Sequence, residues 1–169
     1  DFLDSDYVAS LREVGVPDSV QEIVVLRGDV PEGATSFADY LARADQVTED
    51  ERVARTATVG GDDLCHIMFT SGTTGAPKGA MLGHSAVCRA YLSWANVIGM
   101  DQDRYLIINP FFHSFGLNAG ILACLMTGST IIPHAVFDVP SVMNRIPEEH
   151  ISMLPGPPAI YQTILNTEN

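Results

Sequence analysis

The chain has 169 residues, 46% of them apolar and 18% charged, which is enough to enclose one hydrophobic core. Its formal net charge of −12 argues against a nucleic-acid partner, because phosphate contacts need clustered lysine and arginine. Cys65, Cys88 and Cys124 form no C-x-x-C pair, so neither a zinc site nor a disulfide framework is expected. All three lie in apolar contexts, which predicts buried thiols and fits a reducing cytoplasm.

The first part of the chain predicts short elements followed by a polar segment. Apolar spacing indicates a helix over residues 7–14, which Gly15 and Pro17 end. Residues 23–26 are typical of a buried strand, and residues 37–44 of another short helix. Residues 45–62 are polar and acidic, which predicts a linker or an excursion of the chain over the surface.

From residue 64 onwards, predicted strands and helices alternate. Apolar runs predict strands at residues 64–69, 105–108, 130–133 and 151–154. Helical periodicity predicts helices at residues 85–98, 115–127, 139–149 and 159–165. This alternation predicts crossover units and therefore an α/β fold with mostly parallel sheets and flanking helices.

Residues 105–137 contain no aspartate, glutamate, lysine or arginine. Polar residues, prolines and glycines interrupt this segment, and no run approaches the roughly 18 apolar residues that a spanning helix needs. We therefore expect buried strands and a buried helix here, and no transmembrane segment. No charged segment precedes an apolar run near Asp1, so no secretory signal is expected and the expected location is cytoplasmic.

Residues 70–79 read TSGTTGAPKG and directly follow the apolar run at residues 64–69. Their glycines allow the backbone to turn several N–H groups toward one anion, and their hydroxyls can donate hydrogen bonds or ligate Mg²⁺. Lys78, the only lysine of the chain, adds a cation, and Pro77 restrains the backbone before it. Open α/β sheets bind ligands where strands end, so the segment predicts a phosphate site.

Two other interpretations of this segment compete with the phosphate site. A flexible surface loop also contains glycine, serine and threonine, but so long an uninterrupted pattern carries more information than a loop requires. A Walker-type loop needs glycine before the lysine and serine or threonine after it. Pro77 and Gly79 occupy those positions, so the Walker pattern fails on both sides.

Residues 70–79 resemble the signature of adenylate-forming enzymes, a family of acyl-CoA synthetases, aryl-CoA ligases, luciferases and the adenylation domains of peptide synthetases. The family pattern is two hydroxyl residues, glycine, two hydroxyl residues, glycine, any residue and then Pro-Lys-Gly, and every fixed position is met. Residues 109–116, NPFFHSFG, resemble its second element, P-x-F-H-x-x-G. The similarity is specific over residues 64–169, where it is greatest to bacterial fatty-acyl-CoA ligases, and loose over residues 1–63.

The resemblance implies a two-step reaction that uses ATP, Mg²⁺ and coenzyme A. A carboxylate attacks the α-phosphorus of ATP, pyrophosphate leaves, and the thiol of coenzyme A then displaces AMP from the acyl-adenylate. The substrate is expected to be a fatty or alicyclic acid. An adenylation domain that delivers its acyl group to a carrier protein and a non-catalytic nucleotide-binding module remain alternatives.

The resemblance also implies roles for individual residues. The implied catalytic residues are Lys78, at the β- and γ-phosphates, and His113, near the reacting carboxylate. Thr70 is the implied Mg²⁺ ligand. The implied nucleotide-binding residues are Thr70, Ser71, Gly72, Thr73, Thr74, Gly75, Lys78, Ser114 and Leu117. Residues expected to line the same cleft are Gly156, Pro157 and Pro158.

Several parts of the family pattern do not occur in this sequence. It contains no Y-G-x-T-E element, no T-G-D element and no lid segment with a second lysine. We therefore expect a fragment of a longer enzyme. Residues 1–100 are expected in its first α/β subdomain, and residues 101–169 in its second, on the side of the acyl and nucleotide cleft. Alone, the fragment is expected to form no acyl-CoA.

Overall fold

The structure, a computed structural model, describes residues 5–72 and 75–167. Backbone contacts divide the chain into two compact units, Asp1–Val59 and Gly60–Asn169. The subdomain boundary predicted at residue 100 concerns a longer enzyme and stays a prediction. No helix of the described residues is long and apolar enough to cross a membrane.

The described residues of the first unit form short elements without a fully buried side chain. In chain order these are α1 (Tyr7–Val14), β1 (Val24–Val25), β2 (Thr35–Ser36), α2 (Phe37–Ala42), a 3₁₀ helix (Arg43–Gln46) and α3 (Glu49–Ala57). Strands β1 and β2 pair in parallel, with Val24 opposite Thr35. The predicted helices at residues 7–14 and 37–44 are thus confirmed, while the predicted strand keeps only its two central residues.

Residues 45–62 lie on the surface, as predicted, but the prediction of a linker is wrong, because helix α3 occupies their centre. The hydroxyl of Thr48 accepts a hydrogen bond from the Glu51 backbone N–H (3.3 Å), and the Glu51 carboxylate accepts one from the Thr48 N–H (2.8 Å). This reciprocal capping box satisfies N–H groups that the first turn of a helix leaves without partners. An ion pair between Arg52 and Glu49 adds support within the first turns.

We expect Thr48→Ala to destabilise α3 by about 1 kcal/mol, because this helix buries no side chain and depends on its cap. Hydrogen–deuterium exchange of residues 49–57 should accelerate roughly fivefold. Thr56→Ala is the matched control, since the Thr56 hydroxyl bonds only to the Arg52 carbonyl one turn earlier. Equal exchange in the two variants would contradict the importance of the cap.

The second unit has the alternating order that the sequence predicts. Its elements are β3 (Leu64–Thr70), β4 (Lys78–Gly83), α4 (His84–Val97), β5 (Arg104–Ile107), a π-helix (Phe115–Leu122), α5 (Ala123–Thr127), β6 (Thr130–Pro133), α6 (Val139–Glu148) and α7 (Pro158–Asn166). Strands β5 and β6 are parallel neighbours joined by the π-helix and α5, which form one crossover connection. Helix α5 ends at Gly128, whose φ of +69° is a conformation that glycine adopts without steric cost. The fold class is therefore α/β, as predicted.

Two predicted strands differ from expectation. Strand β3 is not a buried strand of a parallel sheet: it pairs antiparallel to β4, and Ile67 and Phe69 are 46% and 76% exposed. The physical reason is the short connection, because an antiparallel return needs only a tight loop whereas a parallel neighbour needs a crossover of a dozen residues or more. The strand predicted at residues 151–154 is reduced to one parallel bridge between Met153 and Tyr105.

The core of the second unit lies on both faces of β5. Tyr105 and Ile107 pack on one face with Ala123 and Cys124, and Leu106 packs on the other face in a cluster around Val142. Successive side chains of a strand point to opposite sides, so a strand covered on both faces is continuously apolar. Strand β5 is therefore the buried strand of a parallel sheet that its apolar sequence predicts, whereas β3 is not.

The cysteines differ in exposure, so the prediction of three buried thiols is wrong. Cys124 is buried and Cys65 is half-buried, but Cys88 is exposed. Cys88 lies on α4 directly after buried Val87, so the helical turn directs it away from the face that packs on the core. Burial raises the pKa of the Cys124 thiol to about 11.

Candidate functional site

The hydroxyl- and glycine-rich segment forms the end of the β3–β4 hairpin. Thr70 and Lys78 are cross-strand partners, and the Thr70 hydroxyl donates to the Lys78 carbonyl (3.4 Å). Lys78, predicted within the loop, is the first residue of β4. The segment therefore connects the paired ends of β3 and β4, and strands rather than helices flank it on both sides.

Two glycines of this segment have conformations that other residues rarely adopt. Gly72 has a φ of +56°, and a Cβ at that position would lie 2.2 Å from the Ala76 carbonyl oxygen. Gly75 has a φ of +93°. The backbone therefore turns back on itself at Gly72, and only glycine fits there. Thr73 and Thr74, two of the predicted binding residues, lie outside the described residues.

The hairpin end offers the groups that a polyphosphate requires. Thr70, Ser71 and Lys78 are exposed. No carboxylate of residues 5–72 and 75–167 lies within ion-pair distance of the Lys78 ammonium. The combination of an uncompensated cation, hydroxyl donors and a folded-back glycine backbone fits a triphosphate, and hydroxyl oxygens are ligands that Mg²⁺ accepts.

The second motif follows the carboxyl end of β5, where open α/β sheets place ligands. Asn109 is buried, and its side-chain amide donates to the Pro155 carbonyl (3.1 Å). A Cβ at Gly116 would lie 2.3 Å from the Pro110 carbonyl oxygen and 2.4 Å from that of Asn109. This contact packs the start of the π-helix directly against the backbone of residues 109–110.

His113 is exposed at the turn before the π-helix. Its Nδ1 accepts a hydrogen bond from the Phe115 N–H (3.1 Å), and its backbone carbonyl accepts one from the Leu117 N–H (3.0 Å). Because Nδ1 is an acceptor, the neutral ring carries its proton on Nε2. His113 can therefore present an N–H donor to an anion that approaches this turn.

Side chains from three elements form a hydrogen-bonded chain beside this turn. Nδ2 of Asn118 donates to the Ser114 hydroxyl (3.2 Å) and to Nε2 of His66 (3.2 Å). The Ser114 hydroxyl is also bonded to the Tyr91 hydroxyl on α4. At the other end, Nδ1 of His66 contacts Sγ of Cys65 (3.2 Å). We call Tyr91, Ser114, Asn118 and His66 the polar chain.

The structure brings the predicted site residues into two groups. One group lies at the hairpin end and includes Thr70, Ser71, Gly72, Gly75 and Lys78. The other lies at the start of the π-helix and includes His113, Ser114 and Leu117. Among the described residues, Lys78 and His113 share no hydrogen bond, and β3 is connected to the π-helix through His66.

Two open depressions on the described residues are lined by no residue of either group. One, of about 540 Å³, is in the first unit beside Glu22 and Tyr40. The other, of about 400 Å³, lies along α7 beside Thr163. Of the residues predicted to line the cleft, Pro158 begins α7, and a Cβ at Gly156 would lie 3.1 Å from Ile160.

Sequence reasoning missed three members of the polar chain. His66 has no metal-ligand spacing with other histidines, and Tyr91 lies in a segment whose periodicity indicates only a helix face. Asn118 gave the one available signal, since it is a polar residue within an otherwise apolar helix and is only 2% exposed. Buried amides need hydrogen-bond partners, so its position predicts a polar neighbour without identifying it.

Known proteins with similar sequences are acyl-CoA ligases. The chain is 45% identical over 170 residues to 3-[(3aS,4S,7aS)-7a-methyl-1,5-dioxo-octahydro-1H-inden-4-yl]propanoyl:CoA ligase of Rhodococcus jostii (strain RHA1), which covers 98% of this chain and 33% of that protein. It is 42% identical over 166 residues to the protein of the same name in Mycobacterium tuberculosis (strain ATCC 25618 / H37Rv), with 98% and 32% covered. The chain therefore spans about a third of the length of these relatives.

A solved structure shares the backbone arrangement. This is o-succinylbenzoate coenzyme A synthetase from Bacillus subtilis in complex with ATP and magnesium ion, with a TM-score of 0.60 and 31% identity over 66% of this chain and 23% of that chain. A family model described as AMP-binding enzyme matches residues 3–169. With its two motifs, its α/β fold and this match over nearly its whole length, the chain belongs to the AMP-binding enzyme family.

Proposed function

We propose that the complete polypeptide containing these residues is an ATP-dependent carboxylate–CoA ligase. The observation that carries the proposal is the hairpin end, where Lys78 lies without an ion-pair partner among the described residues beside the folded-back backbone at Gly72. The motif with His113 at the end of β5 supports it, because a ligase needs a second group that orients the acid. The names of the two relatives above support CoA over a carrier protein as the acyl acceptor.

The proposed reaction has two displacement steps. A carboxylate oxygen attacks the α-phosphorus of ATP and the bond to pyrophosphate breaks, which yields acyl-AMP. The sulfur of coenzyme A then attacks the acyl carbon, AMP leaves, and the thiol proton passes to solvent. ATP supplies AMP, the good leaving group that a free carboxylate lacks, and a bound Mg²⁺ would offset the negative charge of the phosphates.

The residues of this chain contribute charge and orientation to the first step. Lys78 and the glycine backbone of the hairpin end counter the negative charge on the β- and γ-phosphates, which otherwise repels the carboxylate. Thr70 supplies a hydroxyl oxygen for Mg²⁺. The Nε2 proton of His113 donates to the carboxylate and holds it in line, while Ser114 and Leu117 lie toward the nucleotide. Ser71, Thr73, Thr74 and Gly75 complete the phosphate site in this proposal.

We infer that the acid is alicyclic, with a carboxylate on a short chain attached to fused rings. The two relatives named above act, by their names, on a propanoyl group attached to a fused ring system. Small and apolar residues between Gly116 and Leu125 are compatible with an aliphatic or alicyclic acid. The cytoplasm, where ATP, coenzyme A and reduced thiols are available, is the compartment that this function requires.

The test measures AMP release and thioester formation by the complete polypeptide against ring-bearing propanoic acids, straight fatty acids and aromatic acids. We expect the highest kcat/KM with ring-bearing propanoic acids, and thioester only when coenzyme A is present. Acid-dependent AMP release without thioester would favour a carrier-protein acceptor, and ATP binding without AMP release would favour a non-catalytic module. The 169-residue chain assayed alone is expected to form no thioester, and detectable product from it would refute that expectation.

A further inference from the structure

The polar chain joins the two groups of site residues. His66 lies in β3, which continues directly into Thr70 at the hairpin end. Ser114 and Asn118 lie at the start of the π-helix and within it, next to His113. Among the described residues, the bond between His66 and Asn118 is the hydrogen bond that links β3 to the π-helix.

The direction of each hydrogen bond follows from the chemistry of the donors. An amide nitrogen only donates, so Nε2 of His66 must accept from Asn118 and the neutral ring carries its proton on Nδ1. That proton points toward Sγ of Cys65. Both amide protons of Asn118 are then used, one on His66 and one on Ser114.

Burial makes this arrangement specific. Asn118 is 2% exposed and lies next to buried Ala119 and Gly120. An apolar side chain at this position would need no partner, whereas a buried amide loses free energy unless its N–H groups are paired. The two hydrogen bonds of the buried Asn118 amide nitrogen therefore favour one arrangement of β3 and the start of the π-helix, to which half-buried His66 and Ser114 belong.

We propose that His66 is a positioning residue of the site. Through Asn118 and Ser114 it sets the position of the turn that carries His113 relative to the hairpin end that carries Lys78. The proposal rests on the proposed function, because the geometry it controls is the distance between the carboxylate and the phosphates. His66 does not touch the reacting atoms in this scheme.

The test compares His66→Ala with His66→Gln in the complete polypeptide. Alanine removes the acceptor for Asn118, whereas the glutamine carbonyl can occupy nearly the position of Nε2 and accept the same hydrogen bond. His84→Ala is the matched control, since His84 is a half-buried histidine on α4 outside the polar chain. Hydrogen–deuterium exchange is measured for residues 113–122, and ATP–pyrophosphate exchange gives kcat and the KM for ATP.

We expect His66→Ala to accelerate exchange in residues 113–122 about tenfold and to lower kcat about tenfold per active site, because small misplacements of reacting groups are costly. The KM for ATP should stay within about twofold of the wild type. His66→Gln should restore the hydrogen–deuterium exchange rate and kcat to within about threefold of the wild type. A purely structural role would lower the melting temperature and the active fraction while leaving kcat per active site unchanged.

The proposal is overturned if His66→Ala leaves exchange at residues 113–122 unchanged, or if His66→Gln behaves no better than His66→Ala. Should the wild type show no pyrophosphate exchange, the proposed function fails and hydrogen–deuterium exchange alone decides the role of His66. Should His66→Ala not fold, Tyr91→Phe removes the hydroxyl at the other end of the polar chain and must produce the same accelerated exchange.

Discussion

Replacement of Lys78 with alanine in the complete polypeptide is expected to lower the rate of adenylation by about 100- to 1000-fold while changing the affinity for the acid less than about threefold. Lys78 is the only lysine of the chain, and no arginine lies within residues 70–79. The formal net charge of −12 adds no positive field that compensates for its loss. The variant therefore loses an interaction that develops fully only as charge builds up on the leaving phosphates.

The loss of adenylation rate is measured by ATP–pyrophosphate exchange, and the change in acid affinity is measured by acid binding to the same preparation of the complete polypeptide. Arg89→Ala is the matched control, because it removes the same charge from an exposed position on α4 and should change neither quantity. Lys78→Arg keeps the charge but replaces a compact ammonium with a planar group, so we expect an intermediate loss of about tenfold. Equal losses of adenylation rate and acid affinity in Lys78→Ala would count against the assigned role.

Gly116→Ala is expected to destabilise the protein by about 3 kcal/mol or more, which is a large effect for one methyl group. The added Cβ would lie 2.3 Å from the Pro110 carbonyl oxygen and 2.6 Å from the carbon of that carbonyl. These atoms belong to a backbone that the Asn109 side chain anchors to Pro155, so they cannot shift as a flexible side chain would.

Urea unfolding of the 169-residue chain, monitored by circular dichroism, measures the change in the free energy of unfolding. Gly60→Ala serves as control, because a Cβ there would lie 3.6 Å from the Asp63 carboxylate, an ordinary contact. The control should stay within about 0.5 kcal/mol of the wild type. If both variants unfolded at the same urea concentration, the close approach at Gly116 would not be a feature of the folded protein.

Local patterns predicted much of the second unit because their physical causes are local. The strands at β5 and β6, the helices α4, α6 and α7, and the end of α5 at Gly128 follow from apolar spacing and from glycine at a left-handed position. The helix predicted over residues 115–127 is also present, but its first eight residues are wound as a π-helix. A segment that is apolar on every side shows no hydrophobic periodicity, so its sequence does not distinguish an α-helix from a π-helix.

The misassigned segments depended on partners that periodicity does not identify. The prediction for residues 45–62 uses only their polar, acidic composition, whereas the Thr48–Glu51 capping box in the same segment indicates the start of a helix. The antiparallel pairing of β3 and β4 depends on the short connection between the two strands, which apolar content alone does not reveal. The two sequence motifs predict the site residues near Lys78 and His113. The hydrogen bond between His66 and Asn118 joins residues 52 positions apart, so no local pattern predicts it.

The hydrogen bond from the Phe115 N–H to His113 restricts what this histidine can do. With Nδ1 occupied and the proton on Nε2, the neutral ring has no free lone pair toward the acid and cannot act there as a general base. The proposed chemistry does not need one, because a carboxylic acid is already ionised at neutral pH and attacks as the carboxylate. In the proposed function, His113 is therefore an N–H donor to the carboxylate, and the first step requires no residue that abstracts a proton.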